Sequence, residues 1–337
     1  MTTVQASSLE AGDLTLRPAT FDDAAFVADL LTALDPDDPQ DPTLMRYWWE
    51  NVDPEWTHER WIAERGPRAV GFAVHRHAPW QAMPTRYGGI QADLVPELRT
   101  PERLLALFGA MEARAVTDGA LRFSAWAWEW DALRIDVLTT HGYAEERRER
   151  FWELDLVANR ERLERMASSS RQRMRDEGIR VTTLDRDDDP EKYRKLCRMS
   201  EEAEQDVPTT VPHTPTAFEV FMGYVRSPDR REDRTWVARE GDDLVGISVL
   251  SYPPVRGVVS TDWTATARKV RGRGIARALK CETVLQAIAL GVDRVRTDND
   301  GQNSPILHIN ETMGYARRPD AIQMIKQAER GEGSPPA

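Results

Sequence analysis

Two glycines among six cationic side chains are the residues of this sequence best placed to do chemistry. Gly272 and Gly274 lie between a strand-like segment, Val258 to Thr264, and a helical pattern that runs to about Leu290. At such a turn the first helical N–H groups have no intrahelical partner, and glycines let an anion approach them. The cationic residues of the stretch are Arg268, Lys269, Arg271, Arg273, Arg277 and Lys280. Because the whole chain has a net charge of -11, this local positive charge predicts a polyphosphate ligand.

The spacing of the glycines excludes two common phosphate-binding loops. The chain has no G-x-x-x-x-G-K-[ST] sequence, and Arg277 is too large for the third position of a G-x-G-x-x-G pattern. Arg271, Gly274 and Ala276 instead give the pattern Gln/Arg-x-x-Gly-x-Gly/Ala. This pattern resembles the pyrophosphate-binding loop of the GNAT acyl-CoA N-acyltransferases. The alternative interpretation is a basic helix start with two flexible glycines.

Two flanking segments extend the resemblance. The family has a strand triplet before the loop, and Thr264, Ala265 and Thr266 occupy that position here. Downstream, Thr297 to Tyr315 is similar to the family's strand, Asn-rich loop, short helix and Gly-aromatic strand start. The resemblance covers roughly Ile179 to Gln327 and implies an α+β fold with a mixed sheet of the α/β type.

The resemblance also implies a cosubstrate, acetyl-CoA, lying where two parallel strands diverge. Backbone N–H groups of the loop would hold the pyrophosphate, and the Thr266 amide would polarise the thioester carbonyl. Asn303 would contact the coenzyme, although a turn-favouring Asn in a polar loop is an equal alternative. Arg268, Lys269 or Lys280 would meet the 3′-phosphate or remain solvated charges. The implied coenzyme-binding residues are Thr264, Ala265, Thr266, Arg271, Gly272, Arg273, Gly274, Ile275, Ala276, Arg277 and Asn303.

The implied reaction is attack by an amine on the thioester, which requires an unprotonated amine. For a lysine-like amine the difference between a pKa of about 10.4 and pH 7 costs roughly 4–5 kcal/mol, so a base is useful. Asp262, on the strand that carries the acetyl-binding amides, is the first candidate. Asp206 and His213 follow, in a Pro-rich loop where GNAT folds shape the acceptor site. Each has a structural alternative, a solvent-facing strand carboxylate or an incidental loop residue.

Asn310 marks a departure from the family. Many members have a tyrosine at this position, which protonates the leaving thiolate, and Asn can donate a hydrogen bond but no proton near neutral pH. The acid is therefore elsewhere, or the thiolate leaves without help.

Composition narrows the function classes. The acidic balance argues against general nucleic-acid binding, and no apolar run is long enough for a membrane span. Cys197 and Cys281 are too far apart for a metal knuckle and too few for a disulfide framework, so we expect no metal and a cytoplasmic location. We expect a small-molecule amine as partner, no nucleic acid, no membrane, and a monomer or homodimer.

The element order repeats along the chain. Trp61, Gly71 and the Gly142-Tyr143 pair match Trp236, Gly246 and the Gly314-Tyr315 pair at nearly constant spacing. The first half has Thr100-Pro101-Glu102 in place of the glycine loop, which is a self-sufficient helix start that repels phosphate. The sequence therefore predicts tandem GNAT folds. The predicted domains are a degenerate copy (1–156), a helical surface linker (157–178), a coenzyme-binding copy (179–328) and a disordered tail (329–337).

These observations favour an acetyl-CoA-dependent N-acetyltransferase with one working site in the C-terminal half. The layout resembles that of the mycothiol synthases, which are also tandem GNAT proteins, without identifying the substrate. A CoA-binding regulatory or scaffolding protein without turnover, and a peptide or protein N-acetyltransferase, are the alternatives.

Overall fold

The computed structural model of the protein describes residues 9–207, 213 and 215–328. The chain divides into two compact units. Unit 1 comprises Met1–Arg148 and Pro319–Ala337, and unit 2 comprises Glu149–Arg318. The predicted disordered tail, and most of the Pro-rich loop between Val207 and Pro215, lie outside the described residues.

Strands and helices alternate along the chain as in an α+β protein. The strands are β1 (Leu9–Ala11), β2 (Leu14–Pro18), β3 (Thr57–Arg65), β4 (Arg68–His77), β5 (Tyr87–Leu94), β6 (Arg122–Trp128), β7 (Ala144–Asp155), β8 (Ile179–Thr183), β9 (Thr235–Glu240), β10 (Asp243–Ser251), β11 (Ser260–Thr266), β12 (Arg294–Asp300), β13 (Ala316–Arg317) and β14 (Ala321–Gln327). The helices are α1 (Ala24–Leu34), α2 (Pro42–Glu50), α3 (Pro101–Asp118), α4 (Ala132–Thr140), α5 (Arg160–Asp176), α6 (Lys192–Glu204), α7 (Phe218–Val225), α8 (Ile275–Ala289) and α9 (Ser304–Met313).

Local sequence explains several helix boundaries. The Asp41 carboxylate accepts hydrogen bonds from the first backbone N–H groups of α2, and Asp131 does the same for α4. Gly119 and Gly314, with φ values of 103° and 99°, end α3 and α9 in the left-handed conformation that glycine adopts without strain. These caps explain where α2 and α4 begin and where α3 and α9 end.

Unit 1 has a mixed sheet with the strand order β1-β2-β3-β4-β5-β6-β14. Strands β5 and β6 are parallel, and the other neighbours are antiparallel. Helix α3 packs on β4 and β5, and it supplies Leu104, Leu107, Phe108 and Met111 to the core. A smaller apolar cluster lies where α1 and α2 cover the sheet around Phe72.

Unit 2 repeats this arrangement with the strand order β7-β12-β11-β10-β9-β8. Strands β11 and β12 are its parallel pair, and α8 packs on β9, β10 and β11. Gly246 on β10 lies under α8, where an added Cβ atom would come 2.9 Å from Leu279 Cδ1. Gly71 is equally confined in unit 1, so the glycines that signalled the repeat each have a packing role.

The unit boundaries differ from the predicted domain boundaries. Residues 149–155 of β7 follow the first half in sequence but pair with β12 of unit 2. Strand β14 follows the second half but pairs with β6 of unit 1, from Ala321 opposite Trp128 to Gln327 opposite Arg122. Each unit thus contains a strand from the end of the other half of the sequence. Nothing in the local pattern distinguishes this pairing from pairing within each half.

The expectation of a surface linker is also corrected. The expected surface linker contains α5 as predicted, but α5 packs against α8 and buries Leu163, Ala167 and Met174 in unit 2. Its apolar residues were too few to reveal this contact, because small side chains such as Ala167 and Ser170 also face the neighbouring helix.

The helices bear on the expectation that no segment spans a membrane. Within residues 9–207 and 215–328, no helix is both long enough and apolar enough to cross a bilayer.

Candidate active site

The parallel strands β11 and β12 separate just after β11 begins. Ser260 is opposite Arg296, and no later register pair joins the two strands among the described residues. Beyond that point β11 pairs only with β10, with Thr264 opposite Ser248 and Thr266 opposite Gly246. The edge of β11 that faces β12 therefore has no strand partner along the predicted triplet, Thr264, Ala265 and Thr266, although Arg271 Nε donates to the Thr266 carbonyl at 3.3 Å. An open sheet edge offers backbone N–H and C=O groups to a ligand.

Helix α8 begins beside this open edge, and its first N–H groups have no side-chain cap. Gly274 precedes the helix with φ of 83°, and no side chain within the described part of the chain caps it. Gly272, with φ of 77°, has no atom within 4 Å of the position of an added Cβ atom. Ile275 is buried against Gly246 and fixes the helix on the sheet. The predicted strand–loop–helix geometry for an anion is thus present.

The cationic side chains of the loop are largely paired with acids. Arg273 donates to Glu177 Oε2 at 2.6 Å and to Glu240 Oε1 at 2.8 Å. Lys269 pairs with Asp243, so these two cations already have structural partners. Arg277 is partly buried, and its Nε has no hydrogen-bond partner in the described chain. Arg277 is therefore a partly buried loop cation with a donor still to be satisfied, whereas Lys280, whose Nζ also has no hydrogen-bond partner in the described chain, is fully buried.

Asp206 bridges two loop cations and is unsuited to act as a base. Its carboxylate accepts from Arg268 Nε at 2.7 Å and from Arg271 NH1 at 2.6 Å. These hydrogen bonds hold the pKa of Asp206 well below its usual range, at about 2. A carboxylate with such a pKa retains little basicity at neutral pH. Its position instead ties the Pro-rich loop region to the glycine loop.

Lys280 is not available to the 3′-phosphate. Its side chain is 1% exposed and its ammonium group lies 5.2 Å from the centre of the Tyr315 ring. Burial lowers the pKa of Lys280 to about 8. Lys280 was expected as a phosphate contact, but its position on α8 makes it a core residue.

Asp262 occupies a β-bulge on β11. Val249 of β10 is opposite Trp263 and Leu250 is opposite Thr261, so Asp262 has no partner residue on β10. A bulge re-aims a side chain and interrupts the pleat. The Asp262 carboxylate forms an ion pair with the Arg230 guanidinium. Desolvation by burial raises the pKa of Asp262, and Arg230 opposes this rise.

Arg230 itself is held by a short turn. Asp229, which is 4% exposed, accepts hydrogen bonds from the hydroxyl groups of Ser227 and Ser251. The backbone N–H of Tyr252 also donates to the Asp229 carbonyl at 2.8 Å. The turn therefore joins β10 firmly and presents Arg230 to Asp262.

Asp262 lines a cavity of about 240 Å³ inside unit 2. The apolar part of the wall comes from Leu184, Leu196, Phe221, Ile247, Val249 and Trp263. The polar part includes Glu204, Arg230 and Glu232. Glu232 also binds Lys192 Nζ at 3.2 Å and the Tyr193 hydroxyl. A cavity with an apolar wall and a few charged groups is typical of a small-molecule site.

His213 contacts the acidic edge of this cavity. Its Nε2 lies 2.8 Å from Glu201 Oε1 and 3.6 Å from Glu204 Oε2. Desolvation raises the pKa of Glu204, while His213 opposes this effect. His213 thus lies near the cavity wall, but it is paired with Glu201, which does not line the cavity.

The two asparagines have different settings. Asn303 precedes α9 and is partly exposed at the end of the Asn-rich loop. Asn310 is 0% exposed, and its Nδ2 donates to Asn299 Oδ1 at 2.7 Å. The Asn310 side chain therefore fixes α9 to β12, and its burial argues against contact with a leaving thiolate.

The corresponding region of unit 1 is blocked. Strands β5 and β6 also separate after three paired positions. Arg134 of α4 lies between them and donates to the carbonyl of Ala92 at 3.0 Å and to that of Trp126 at 3.5 Å. Its guanidinium also forms ion pairs with the buried Asp93 and Asp131 carboxylates. Arg134 thus binds backbone carbonyl groups at the separating strand edges of unit 1. In unit 2 the edge of β11 that faces β12 has no paired residue beyond Ser260 among the described residues.

Helix α3 of unit 1 also lacks the open amides of α8. Thr100 Oγ1 accepts from Arg103 N at 3.4 Å, and Pro101 is the first helical residue. These are the self-sufficient features that the sequence predicted for this helix start.

Sequence reasoning missed two arginines of unit 2. Arg230 could not be linked to Asp262 without the bulge and the turn. Arg173 of α5 lies over the glycine loop, with NH2 3.4 Å from the Gly272 carbonyl and NH1 3.3 Å from an added Cβ atom at Gly274. A positive charge in a segment assigned to a linker was the only signal for Arg173.

Comparisons with known proteins agree with this architecture. No protein-family model matches the chain, and no curated protein matches it in sequence. Its structure is similar to that of a tandem GNAT protein from the clavulanic acid biosynthesis pathway, with a TM-score of 0.71 and 15% identity. The match covers 95% of this chain and 100% of that one.

Two further solved structures are similar over most of the chain. One is a GCN5-related N-acetyltransferase from Sphaerobacter thermophilus, with a TM-score of 0.64, 18% identity, and coverage of 95% of this chain and 97% of that one. The other is a putative acetyltransferase from Pyrococcus horikoshii, with a TM-score of 0.55, 12% identity, and coverage of 96% and 92%. At these identities the likeness shows the fold, so the chain has two GNAT folds in tandem, as predicted.

Proposed function

We propose that this chain is an acetyl-CoA-dependent N-acetyltransferase with a single working site in unit 2. The observation that carries the proposal is the position of β11. Its open edge, from Thr264 to Thr266, lies beside the uncapped start of α8, and its bulge places Asp262 in the cavity. One strand thus connects an anion-binding loop for the coenzyme with a pocket for the acceptor.

The chain's own residues would hold the coenzyme through its backbone. The N–H groups from Arg271 to Arg277 would bind the pyrophosphate, with Arg277 and Arg173 adding positive charge. The Thr266 amide would donate to the carbonyl oxygen as negative charge develops on it. Asn303, which precedes α9, would also contact the coenzyme.

In the chemical step the acceptor nitrogen forms a bond to the thioester carbonyl carbon, and the carbon–sulfur bond breaks. The acceptor proton passes to Asp262 through a chain of water molecules, because four residue steps of strand, about 13 Å, separate Asp262 from Thr266. CoA leaves as the thiolate. A carboxylate with a raised pKa suits this role better than Asp206 with a pKa of about 2. Because Asn310 is buried, we propose that the thiolate leaves without a proton from that position.

The cavity supports a small amine with an apolar portion as the acceptor. Its volume of about 240 Å³ suits a metabolite-sized group. Glu204 and Asp262 on its wall would attract a cationic amine, and the apolar side chains would hold its carbon skeleton. A peptide or protein acceptor would need an open cleft for several residues, so a small amine is the favoured acceptor.

We propose that unit 1 binds no coenzyme. Arg134 fills the separation of β5 and β6, and Thr100 caps α3, so neither anion-binding feature is open. We further propose a cytoplasmic location, because both cysteines are free thiols.

Calorimetric titration of acetyl-CoA into the full chain tests the proposal. We expect one equivalent to bind, and Gly274→Glu to abolish binding, because it adds a carboxylate at the phosphate position and a side chain at positive φ. Thr100→Ala, at the matching helix start of unit 1, is the control and should keep one equivalent. Two equivalents would overturn the account of unit 1, and none would overturn the enzyme proposal.

A CoA-binding protein without turnover is the second candidate. The buried Asn310, in place of a proton donor, is the observation that favours it. Release of free CoA in the presence of a panel of small cationic amines distinguishes the two. Binding of one equivalent with no release for any amine would favour the regulatory alternative.

A further inference from the structure

Three side chains with metal-ligand atoms meet in unit 1, whereas the proposed acetyl-transfer site belongs to unit 2. His75 and His77 lie two residues apart on β4 and so project from the same face. Asp118 ends α3. The ligand atoms of these three residues all lie within 4.8 Å of one another. Two imidazoles and one carboxylate form a common ligand set for a divalent transition-metal ion.

His77 has the hydrogen bonding of a metal ligand. Its Nδ1 lies 2.7 Å from the Ala78 carbonyl oxygen, so Nδ1 is the nitrogen that donates. Its Nε2 lies 2.5 Å from Asp118 Oδ2, within the cluster. A backbone carbonyl that binds the outer nitrogen of a histidine orients the ring and fixes which nitrogen faces the metal.

Trp80 holds this arrangement in place. Its ring stacks on the His77 imidazole, with 3.6 Å between ring centres and 3° between planes. Its indole N–H donates to the Asp118 backbone carbonyl at 2.8 Å. The same side chain thus fixes both the imidazole of β4 and the end of α3, so the ligands are pre-positioned.

His75 has an unmet requirement for a partner. It is 0% exposed, and neither of its ring nitrogens has a hydrogen-bond partner in the part of the chain that the structure describes. Its ring centre lies 5.2 Å from that of His77. A buried polar group without a partner is costly, and a bound ion would supply one.

We propose that His75, His77 and Asp118 bind a divalent transition-metal ion, with Zn²⁺ the fitting probe. Zinc accepts imidazole nitrogen and carboxylate oxygen at about 2.0–2.2 Å, and a water molecule would complete a tetrahedral set. The ion would separate His77 from Asp118 by less than an ångström, a shift that the partly exposed Asp118 side chain permits. It would join β4 to the end of α3, a structural role in unit 1.

This proposal departs from the expectation of no metal, which rested on the spacing of cysteines. A second cluster, Glu201, Glu204 and His213, also has close ligand atoms. All three residues of that cluster are partly exposed, and His213 already has Glu201 as a partner at 2.8 Å. It therefore serves as the control for the experiment.

The experiment measures zinc bound per full-length chain after chelator treatment and dialysis against Zn²⁺, together with the visible absorption of bound Co²⁺. We expect one tightly bound ion and a Tm that rises with Zn²⁺ concentration. Asp118→Ala should lower the affinity by at least about tenfold, while the fold remains intact because that side chain is partly exposed. His77→Gln should remove the Co²⁺ absorption. His213→Gln should change none of these readouts.

Three results would overturn the proposal. They are no stoichiometric zinc in the unaltered chain, zinc retained equally by Asp118→Ala and His77→Gln, or zinc lost only in His213→Gln. Acetyl-CoA stoichiometry measured on the same samples keeps this test separate from the proposed function, because the cluster is distant in sequence from β11 and α8.

Discussion

The Asp262 carboxylate is paired with the Arg230 guanidinium on the wall of the unit 2 cavity. The bulge on β11 turns Asp262 toward this position, and the Ser227–Asp229–Ser251 hydrogen bonds hold the turn that carries Arg230. The pair places a partly desolvated base beside the strand edge proposed to bind the thioester. Removing the charge of either residue would leave the other charge without its ion-pair partner, so a variant at this site needs a matched control.

Asp262→Asn should lower kcat/KM by about 10²–10⁴-fold, the usual contribution of a general base. In the unaltered protein, activity should fall as pH drops through the raised pKa of Asp262, because the protonated carboxyl group cannot accept a proton. The Asn variant should lack this acid limb. Asp233→Asn, an exposed carboxylate in the same unit, is the control. A pH profile unchanged by Asp262→Asn would assign the base elsewhere.

Asp206→Asn should tighten coenzyme binding by about twofold to fivefold, because it frees Arg268 and Arg271 to meet phosphate. Since hydrogen bonds from these arginines lower the pKa of Asp206 to about 2, the pair stays charged throughout the neutral range. The pH profile of kcat should therefore be unchanged. Calorimetry at two salt concentrations provides the affinity. Loss of turnover with an altered pH limb would instead make Asp206 a base.

Arg134→Ala should destabilise unit 1 by about 3–5 kcal/mol, because it leaves the buried Asp93 carboxylate without its arginine partner, whereas Asp131 keeps its ion pair with Arg99. Denaturant unfolding measures this change. Arg148→Ala removes a largely exposed pair with Glu145 and should cost less than about 1 kcal/mol. Equal effects of the two substitutions would contradict the structural role of Arg134.

The fragment 149–318 should fold alone, whereas the fragment 179–328 should not. The first retains Trp152, Leu154 and Leu163, which belong to the apolar cluster beneath β12. The second lacks β7 and α5 and keeps β14, whose partner strand β6 is in unit 1. Circular dichroism and thermal unfolding compare the two. Cooperative unfolding of 179–328 with the same Tm would show that β7 and α5 are dispensable.

Local patterns were sufficient to predict most elements and the glycine turn before α8. Gly272 and Gly274 required positive φ before a helix, and the sequence pattern around Arg271 and Ala276 identified the turn. The repeat of Trp61 and Gly71 in Trp236 and Gly246 indicated two similar folds. These signals work because they depend on neighbouring residues, whose backbone geometry is restricted by local sterics.

Local sequence patterns could not predict which distant segments pair. The exchange of β7 and β14 between the two units leaves the alternation of apolar and polar residues unchanged, so the sequence is equally compatible with either pairing. The same holds for α5, which was predicted as a helix but not as part of the unit 2 core. The acidic partners of Arg268, Lys269 and Arg273 were hidden for the same reason.

Neighbouring residues were thus enough to predict two tandem folds, the glycine loop of the second, and the capped helix start of the first. Which titratable groups meet depends instead on the folded chain. Folding paired Asp262 with Arg230, assigned Asp206 to the loop arginines, placed Arg134 between β5 and β6, and brought His75 and His77 to Asp118. Backbone conformation follows from adjacent residues, whereas a charge acquires its pKa and its partners from residues that are near only after folding.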